Sequence, residues 1–206
     1  MDGSLALETE QASRLRTEPF QTAIAELALF LVLLRRFTPP YSLGSFEQRI
    51  RRLADVAYRL PELLQVSPYA IVGYLFVWTA LNGPSKRWGL SRPELADVIS
   101  ATHLCALARP LYRTIELRYL LDSAGLSHAL PTTKQLWNLA KPRNGAAAPQ
   151  AVTAERLYET THLVFYLTDF GGETCGVLTR VDWERLLRDI RLGLESAIAW
   201  QHFDLV

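Results

Sequence analysis

The chain has 206 residues, of which 49% are hydrophobic and 21% charged, and its formal net charge is +1. This length suits one domain, or at most a compact pair, with a sizeable core, so folding requires neither disulfides nor a metal ion. The near-neutral charge argues against a nucleic-acid-binding protein, whose surface would carry clustered positive charge.

The N-terminal segment 1–16 begins with MDGSLALETEQ, which is acidic and lacks the basic start of a secretory signal. We expect this segment to be flexible and the protein to be cytoplasmic. The most apolar run, AIAELALFLVLL at 23–34, is shorter than the roughly 20 residues that span a bilayer, so no membrane association is predicted. Cys105 and Cys175 lack metal-ligand spacing and are predicted to be reduced thiols.

The first predicted helix begins near Thr17, with Pro19 in its first turn, and ends before Pro39. Its apolar residues continue around every face, which predicts burial on several sides. One apolar stripe repeats at helical spacing: Phe20, Ile24, Leu27, Leu31 and Leu34. This composition also favours a protein partner or a homodimer that covers the first helix.

The second predicted helix opens with Ser45 and Gln48, a capping-box pair, and breaks at Pro61. The third starts at 67–68 and stops at 82–84, an Asn-Gly-Pro sequence. Arginines on the polar side of the second helix are interpreted as a solvated outer face.

The next helix opens at Ser91, with Glu94 completing another capping box. Pro110 interrupts the apolar pattern that follows, which predicts either a kink or two helices before Gly125. A short helix is predicted over Thr133–Ala140.

The segment 141–152 is rich in proline, glycine and alanine and is predicted to be a linker-like loop. Thr153 is expected to cap the following helix, which ends at a turn over 169–172, and Thr179 to cap the last helix. The inward-facing residues predicted for the last helix are Leu186, Leu187, Ile190, Leu194 and Ile198. Because the chain end lacks a stop signal, we expect the native polypeptide to continue beyond Val206, or this end to dock against a partner.

Convincing strand alternation is absent from the sequence. The elements therefore predict an all-α fold with a single domain of about eight helices over 17–206, arranged as an array of α/α-hairpins.

The segment 158–171, YETTHLVFYLTDFG, has unusual local chemistry. At helical spacing, Tyr158, His162, Tyr166 and Asp169 share one side of an otherwise apolar helix. One hypothesis makes His162 a general acid or base, oriented by Asp169 or a tyrosine, because imidazole changes its charge near neutral pH. The alternative is a core-edge histidine bonded to a backbone carbonyl, with Asp169 closing the turn.

A second group of polar residues lies upstream, where Arg109, Arg113 and Glu116 would share a helical face. The two guanidinium groups could clamp a carboxylate, sulfate or phosphate. The alternative is an internal salt bridge between Arg113 and Glu116.

His103 lies close to Cys105 in sequence, but residues two apart on a helix point to different sides, which argues against a nucleophilic dyad. His103, His162 and Asp169 lack the spacing of known metal motifs. We therefore predict no metal and no other cofactor, and we keep His103 as a candidate substrate-binding residue.

The pattern Tyr158-x-x-Thr161-His162-x-x-Phe165-Tyr166-x-Thr168-Asp169-Phe170-Gly171 resembles the signature of an uncharacterised family of bacterial helical proteins. The block Arg113-x-x-Glu116-Leu117-Arg118-Tyr119-x-x-Asp122-x-x-Gly125 resembles a second part of that signature. Members occur mainly in actinobacteria, often near natural-product biosynthesis genes. The resemblance implies a soluble helical protein with a partial α/α toroid and a role in specialised metabolism. Some such gene clusters use paired small proteins as one cyclising catalyst, for example in aziridine formation by sulfate displacement.

From these observations we predict a natural-product biosynthetic enzyme, or one subunit of a heteromeric enzyme, that holds a small polar or anionic metabolite between helices. His162 and Asp169 are the candidate catalytic residues. The candidate substrate-binding residues are Tyr158, Tyr166, Arg109, Arg113 and His103. The alternative is a non-catalytic interaction subunit or ligand-binding protein, whose interface would be the apolar first helix.

Overall fold

The computed structural model describes residues 18–37, 39–58, 70–82, 87–140, 154–172, 176 and 178–199. Within these ranges the chain forms α-helices and short 3₁₀-helices and no strand, which confirms the all-α prediction. Eight α-helices are described: α1 (Glu18–Phe37), α2 (Gly44–Ala57), α3 (Ala70–Leu81), α4 (Arg92–Ala101), α5 (Leu111–Ser123), α6 (Thr133–Ala140), α7 (Ala154–Leu167) and α8 (Arg180–Ala199). The arrangement as a hairpin array or partial toroid stays a prediction.

Backbone contacts group the chain into two compact units. Unit 1 comprises Met1–Leu107 and Leu120–His128, and unit 2 comprises Ala108–Tyr119 and Ala129–Val206. Helix α5 therefore contributes its first residues to unit 2 and its last residues to unit 1. The predicted helical domain over 17–206 thus contains two compact parts.

In unit 1, α1 packs against both α2 and α3. A charged cluster connects the three helices, because the buried Glu47 carboxylate on α2 accepts a hydrogen bond from Arg35 of α1 at 2.9 Å. Arg35 also donates to the backbone carbonyl of Ala80 on α3. Arg51 donates to the carbonyl of Leu81 at 3.2 Å, so two arginines satisfy carbonyl groups at the C-terminal end of α3.

Helix α1 is buried on one side only. Ile24 and Leu31 are 3% and 0% exposed, whereas Phe20 and Leu27 of the same stripe are 45% and 38% exposed. The described part of the chain therefore does not bury this helix on several sides, and its coverage by a partner stays a prediction. The neighbours α2 and α3 cover one face, and a helix that is apolar all round has further apolar faces that these two do not cover.

The predicted start of the second helix is also wrong. A 3₁₀-helix over Pro40–Leu43 continues directly into α2 at Gly44, so Ser45 already lies inside the helix. At α4 the prediction is confirmed: the Ser91 backbone N–H and hydroxyl both donate to the Glu94 carboxylate, at 2.8 and 2.6 Å. These side-chain and backbone hydrogen bonds lower the pKa of Glu94 from its ordinary value.

Pro110 separates two helices, one of the two alternatives that the sequence left open. Helix α4 ends at Ala101, a 3₁₀-helix follows at Leu104–Ala106, and α5 begins at Leu111. Gly125 ends α5 in a left-handed conformation with φ of 65°. The bonds from Gly125 N–H to the Asp122 carbonyl and from Leu126 N–H to the Leu121 carbonyl, at 3.0 and 2.9 Å, form a Schellman motif.

In unit 2, α7 packs against α8. A Cβ atom at Gly193 of α8 would lie 2.6 Å from a methyl carbon of Leu157 on α7, so the glycine permits this close approach. The Thr179 hydroxyl accepts a hydrogen bond from the Asp182 backbone N–H at 3.2 Å and caps α8, as predicted, and it donates to the Asp182 carboxylate at 2.7 Å. Leu187, however, is 59% exposed rather than inward-facing, because it lies about 100° around the helix from the buried Leu186.

Several predictions fall outside the described residues: the flexible segment 1–16, the helix start at 67–68, the loop at 141–152, the Thr153 cap, Cys175, the side chain of Ile198 and the chain end at Val206. Among the helices that are described, none combines the length and apolar character needed to cross a membrane.

Candidate functional site

The candidate site lies in unit 2 and begins at the unusual C-terminal end of α7. The N–H of Phe170 donates to the carbonyl of Phe165 at 2.7 Å, which closes the last turn of the helix. Asp169 and Phe170 both have left-handed backbones, with φ of 47° and 54°. Aspartate tolerates this conformation, but a bulky phenylalanine rarely adopts it. Such residues cost about 1–3 kcal/mol each and persist where their surroundings compensate.

Side chains of α5 and α7 supply that compensation. The Tyr119 hydroxyl on α5 donates to the Asp169 carboxylate at 2.6 Å. The Phe170 ring stacks on Phe165, with centroids 5.5 Å apart and planes at 15°. The edges of Tyr119 and Tyr166 also meet the Phe170 ring, at 5.8 and 5.4 Å between centroids. Besides its backbone hydrogen bonds, the turn is therefore held by the Tyr119–Asp169 bond and an aromatic cluster.

The second hydrogen-bonded centre is Glu116 on α5, which is only 3% exposed. Arg113 Nη1 donates to both carboxylate oxygens, at 2.8 and 3.1 Å. The buried hydroxyl of Tyr166 donates to Glu116 Oε1 at 2.8 Å. Glu116 thus connects a cation on its own helix with a tyrosine on α7.

Burial and the neighbouring Glu116 charge both raise the pKa of Tyr166, so its hydroxyl remains a neutral donor. Burial disfavours the Arg113 charge, but the Glu116 carboxylate outweighs that effect and raises the pKa of Arg113. Both groups therefore keep the protonation states that the hydrogen bonds require.

Three contacts between α5 and the α7 segment share one spacing. The pairs Tyr112 with His162, Glu116 with Tyr166, and Tyr119 with Asp169 are each separated by 50 residues. From one pair to the next, the residue number increases in both segments, so the two segments run parallel where they meet. We refer to these three pairs as the α5–α7 seam.

His162 lies at the N-terminal end of this seam. Its Nδ1 is 2.8 Å from the backbone carbonyl of Tyr158. A carbonyl only accepts hydrogen bonds, so Nδ1 carries the proton, and a neutral imidazole then has its lone pair at Nε2. The imidazole stacks on the Tyr158 ring at 3.8 Å between centroids, and the Tyr112 ring lies 6.0 Å away.

The predicted polar stripe on α7 runs from the surface into the interior. Tyr158 is 37% exposed, His162 is half-buried, and Tyr166 is 8% exposed. Phe165 is 44% exposed and extends the aromatic surface beside His162. The accessible part of the site is therefore Tyr158, His162 and Phe165, whereas Tyr166 belongs to the buried seam.

The structure shows the features proposed as alternatives to the functional hypotheses. His162 is bonded to a backbone carbonyl, Asp169 lies in the turn, and Arg113 pairs with Glu116. These contacts do not exclude a functional role, because the Arg113 side chain is still 42% exposed. The guanidinium also lies over the Tyr112 ring, at 5.1 Å from its centroid.

Two predicted site residues are placed differently from expectation. Arg109 precedes Pro110 and lies outside α5, so the helical spacing assumed between Arg109 and Arg113 does not apply. Proline favours the first turn of a helix over its interior, and the helix begins after it. His103 belongs to unit 1, where it has a left-handed backbone with φ of 51°.

Sequence analysis missed the role of Glu116 as a shared acceptor and the parts played by Tyr119, Phe165 and Phe170. A signal was present: Tyr112, Glu116 and Tyr119 follow the same i, i+4, i+7 spacing as His162, Tyr166 and Asp169. Two polar stripes of identical spacing are typical of helices that pair along those stripes. Among the described residues, no group of three histidine, cysteine or acidic side chains is arranged to hold a metal ion.

Comparison with known proteins gives one match. A family model described as a domain of unknown function (DUF6895) matches residues 4–206, which include both compact units. No curated protein and no solved structure matches the chain significantly. The function of this chain must therefore be argued from its own residues.

Proposed function

The chain belongs to the DUF6895 family, and from its site geometry we propose a biosynthetic enzyme, or one subunit of a heteromeric enzyme, in which His162 transfers a proton to or from a small anionic metabolite. The observation that carries this proposal is the orientation of His162. The Tyr158 carbonyl accepts the Nδ1 proton, which leaves the Nε2 lone pair as the basic site. Catalytic histidines are commonly oriented in this way, by an acceptor on the nitrogen that does not react.

The anionic character of the proposed metabolite rests on Arg113. The guanidinium has donors besides the Nη1 group that pairs with Glu116, and its side chain is partly exposed. It is held against the Tyr112 ring, which also lies next to His162. A carboxylate, sulfate or phosphate bound at Arg113 would place the rest of a small molecule over the imidazole and the exposed rings of α7.

Intramolecular cyclisation with loss of sulfate is one reaction that uses both groups. An amine nitrogen attacks the carbon that bears a sulfate ester, the carbon–oxygen bond breaks, and sulfate leaves with the bonding electron pair. His162 takes the proton that the nitrogen loses, and Arg113 stabilises the departing anion. The product of such a step is a three-membered aziridine ring.

The test compares two substitutions of His162 that separate its two nitrogens. In His162→Asn, the amide nitrogen is as many bonds from Cα as Nδ1 and keeps the bond to the Tyr158 carbonyl. In His162→Gln, the amide lies one bond further out, near Nε2, but neither amide titrates. We expect both variants to fold and to lower kcat by about 100-fold or more. Turnover is measured as sulfate release from 2-aminoalkyl sulfates and as metabolite conversion by mass spectrometry.

The control for the anion site is a pair of arginine substitutions. Arg113→Met should raise KM, whereas Arg188→Met, at an exposed arginine of α8, should leave both kcat and KM unchanged. A folded His162→Asn protein that retains wild-type turnover would rule out proton transfer by His162.

A second candidate function is that of a non-catalytic interaction subunit, and the exposed surface of α1 favours it. Phe20, Phe30 and Phe37 are 45%, 52% and 84% exposed. Exposed large apolar side chains along one helix often mark a protein interface. Native mass spectrometry of the protein alone, and co-expressed with the products of neighbouring genes, tests this function. We expect a dimer or a mixed complex that dissociates on Phe30→Glu but not on Leu187→Glu, and a monomer under both conditions would contradict it.

A further inference from the structure

We propose that Glu116 is a positioning residue that sets the register of α7 against α5 and thereby holds His162 opposite Tyr112. Its catalytic meaning rests on the proposed function of His162. The geometric claim concerns the α5–α7 seam alone and is tested without measuring turnover.

The burial of Glu116 is the first argument. Its side chain is 4% exposed, and both carboxylate oxygens are engaged by Arg113 and Tyr166. A buried carboxylate is a poor device for stability, because the cost of desolvating it offsets its attraction to the half-exposed Arg113. Its best-attested use is to specify one packing arrangement over others, as a buried polar residue does in coiled coils.

The geometry of the seam shows which arrangement is specified. If α7 slipped by one helical turn, His162 would come opposite Glu116, and Tyr166 would come opposite Leu120. The Tyr166 hydroxyl would then face an aliphatic side chain and lose its acceptor. An unsatisfied buried hydroxyl costs about 1–3 kcal/mol, so the Glu116–Tyr166 bond penalises the slipped register.

The hydrogen bond between Tyr119 and Asp169, on the C-terminal side of Glu116, favours the same register. Tyr119 donates to Asp169 at 2.6 Å, and Asp169 lies in the left-handed turn that follows α7. The end of α7 is therefore fixed by its own backbone conformation as well as by Tyr119. The Glu116–Tyr166 pair lies four residues from the Tyr112–His162 layer on each helix, closer than the Tyr119–Asp169 pair, so its substitution should affect His162 most directly.

The experiment uses the full chain and follows the His162 ring by NMR. In the double variant Glu116→Met/Tyr166→Phe, both polar partners are replaced by apolar groups of similar size, so neither is left unsatisfied. We expect the double variant to fold, to lose the ring-to-ring cross-peaks between Tyr112 and His162, and to show shifted His162 ring resonances. In Glu116→Gln, an amide oxygen still accepts from Tyr166, and we expect those cross-peaks to be retained.

A residue that only added stability would leave the His162 signals of the folded double variant unchanged, and that result would overturn the proposal. Should the double variant fail to fold, Tyr166→Phe alone removes one oxygen atom and the bond to Glu116. Weakened Tyr112–His162 cross-peaks in that variant support the proposal, and unchanged ones overturn it. Because no outcome involves turnover, a failure here is distinct from a failure of acid–base catalysis by His162.

Discussion

At the scale of single residues, Asp169 shows how one side chain can suggest two roles. The sequence places it on the His162 stripe, where a carboxylate could orient an imidazole. In the structure it occupies a left-handed position, and its carboxylate accepts from Tyr119. The orienting acceptor on His162 Nδ1 is instead the Tyr158 carbonyl. Local spacing left both interpretations open, and the structure shows the one in which a backbone carbonyl is the acceptor.

Asp169 therefore yields a prediction about stability. Asparagine tolerates the left-handed region and keeps an oxygen that can accept from Tyr119, so Asp169→Asn should change the free energy of unfolding little. Alanine tolerates that region poorly and removes the acceptor, so Asp169→Ala should destabilise by about 1–3 kcal/mol. Urea unfolding monitored by circular dichroism measures both. Equal losses for the two variants would contradict the role of the acceptor and of the turn.

At the scale of secondary-structure elements, capping signals predicted helix boundaries well where no other helical turn lies directly before the cap. Helix α6 spans Thr133–Ala140 as predicted, and the preceding Thr132 shares a capping box with Gln135. The start predicted for α2 was wrong because a 3₁₀-helix precedes α2, so the backbone is already helical before Ser45. A capping box in sequence predicts a helix start only if the residues before it are extended, which one-dimensional spacing does not show.

The end of α5 offers a test of an element boundary. Gly125 has φ of 65°, and a Cβ atom there would lie 3.4 Å from the Arg92 guanidinium carbon. Gly125→Ala should therefore reduce the free energy of unfolding by about 1–2 kcal/mol, the cost of an L-residue in this region.

The matched control is Gly44→Ala, where φ is −59° and an added Cβ meets no atom within 4 Å. Alanine there restricts the unfolded chain without strain and should stabilise by about 0.4–1 kcal/mol. Thermal and chemical unfolding of both variants give the comparison, and destabilisation by Gly44→Ala of the same size would argue against the left-handed cost at Gly125.

At the scale of the whole molecule, the sequence predicted the class and the number of helices because helical periodicity and capping are local properties. Which faces are covered is not local. Helix α1 is apolar all round, and only the structure shows that Ile24 and Leu31 are covered while Phe20 and Leu27 are not. Similarly, the bond between Glu116 and Tyr166 joins residues 50 apart, and no pattern within either helix names its partner.

The constant spacing of the α5–α7 seam has an evolutionary consequence. Because Tyr166 donates to Glu116 in a buried layer, an apolar residue at position 116 would leave the Tyr166 hydroxyl without its acceptor unless position 166 changes as well. Selection should act on the two positions as a pair, so that a relative with phenylalanine at the second carries an apolar residue or an amide at the first. If substitutions at all three seam pairs are coupled in this way, family sequences alone would show that the two helices pair in parallel.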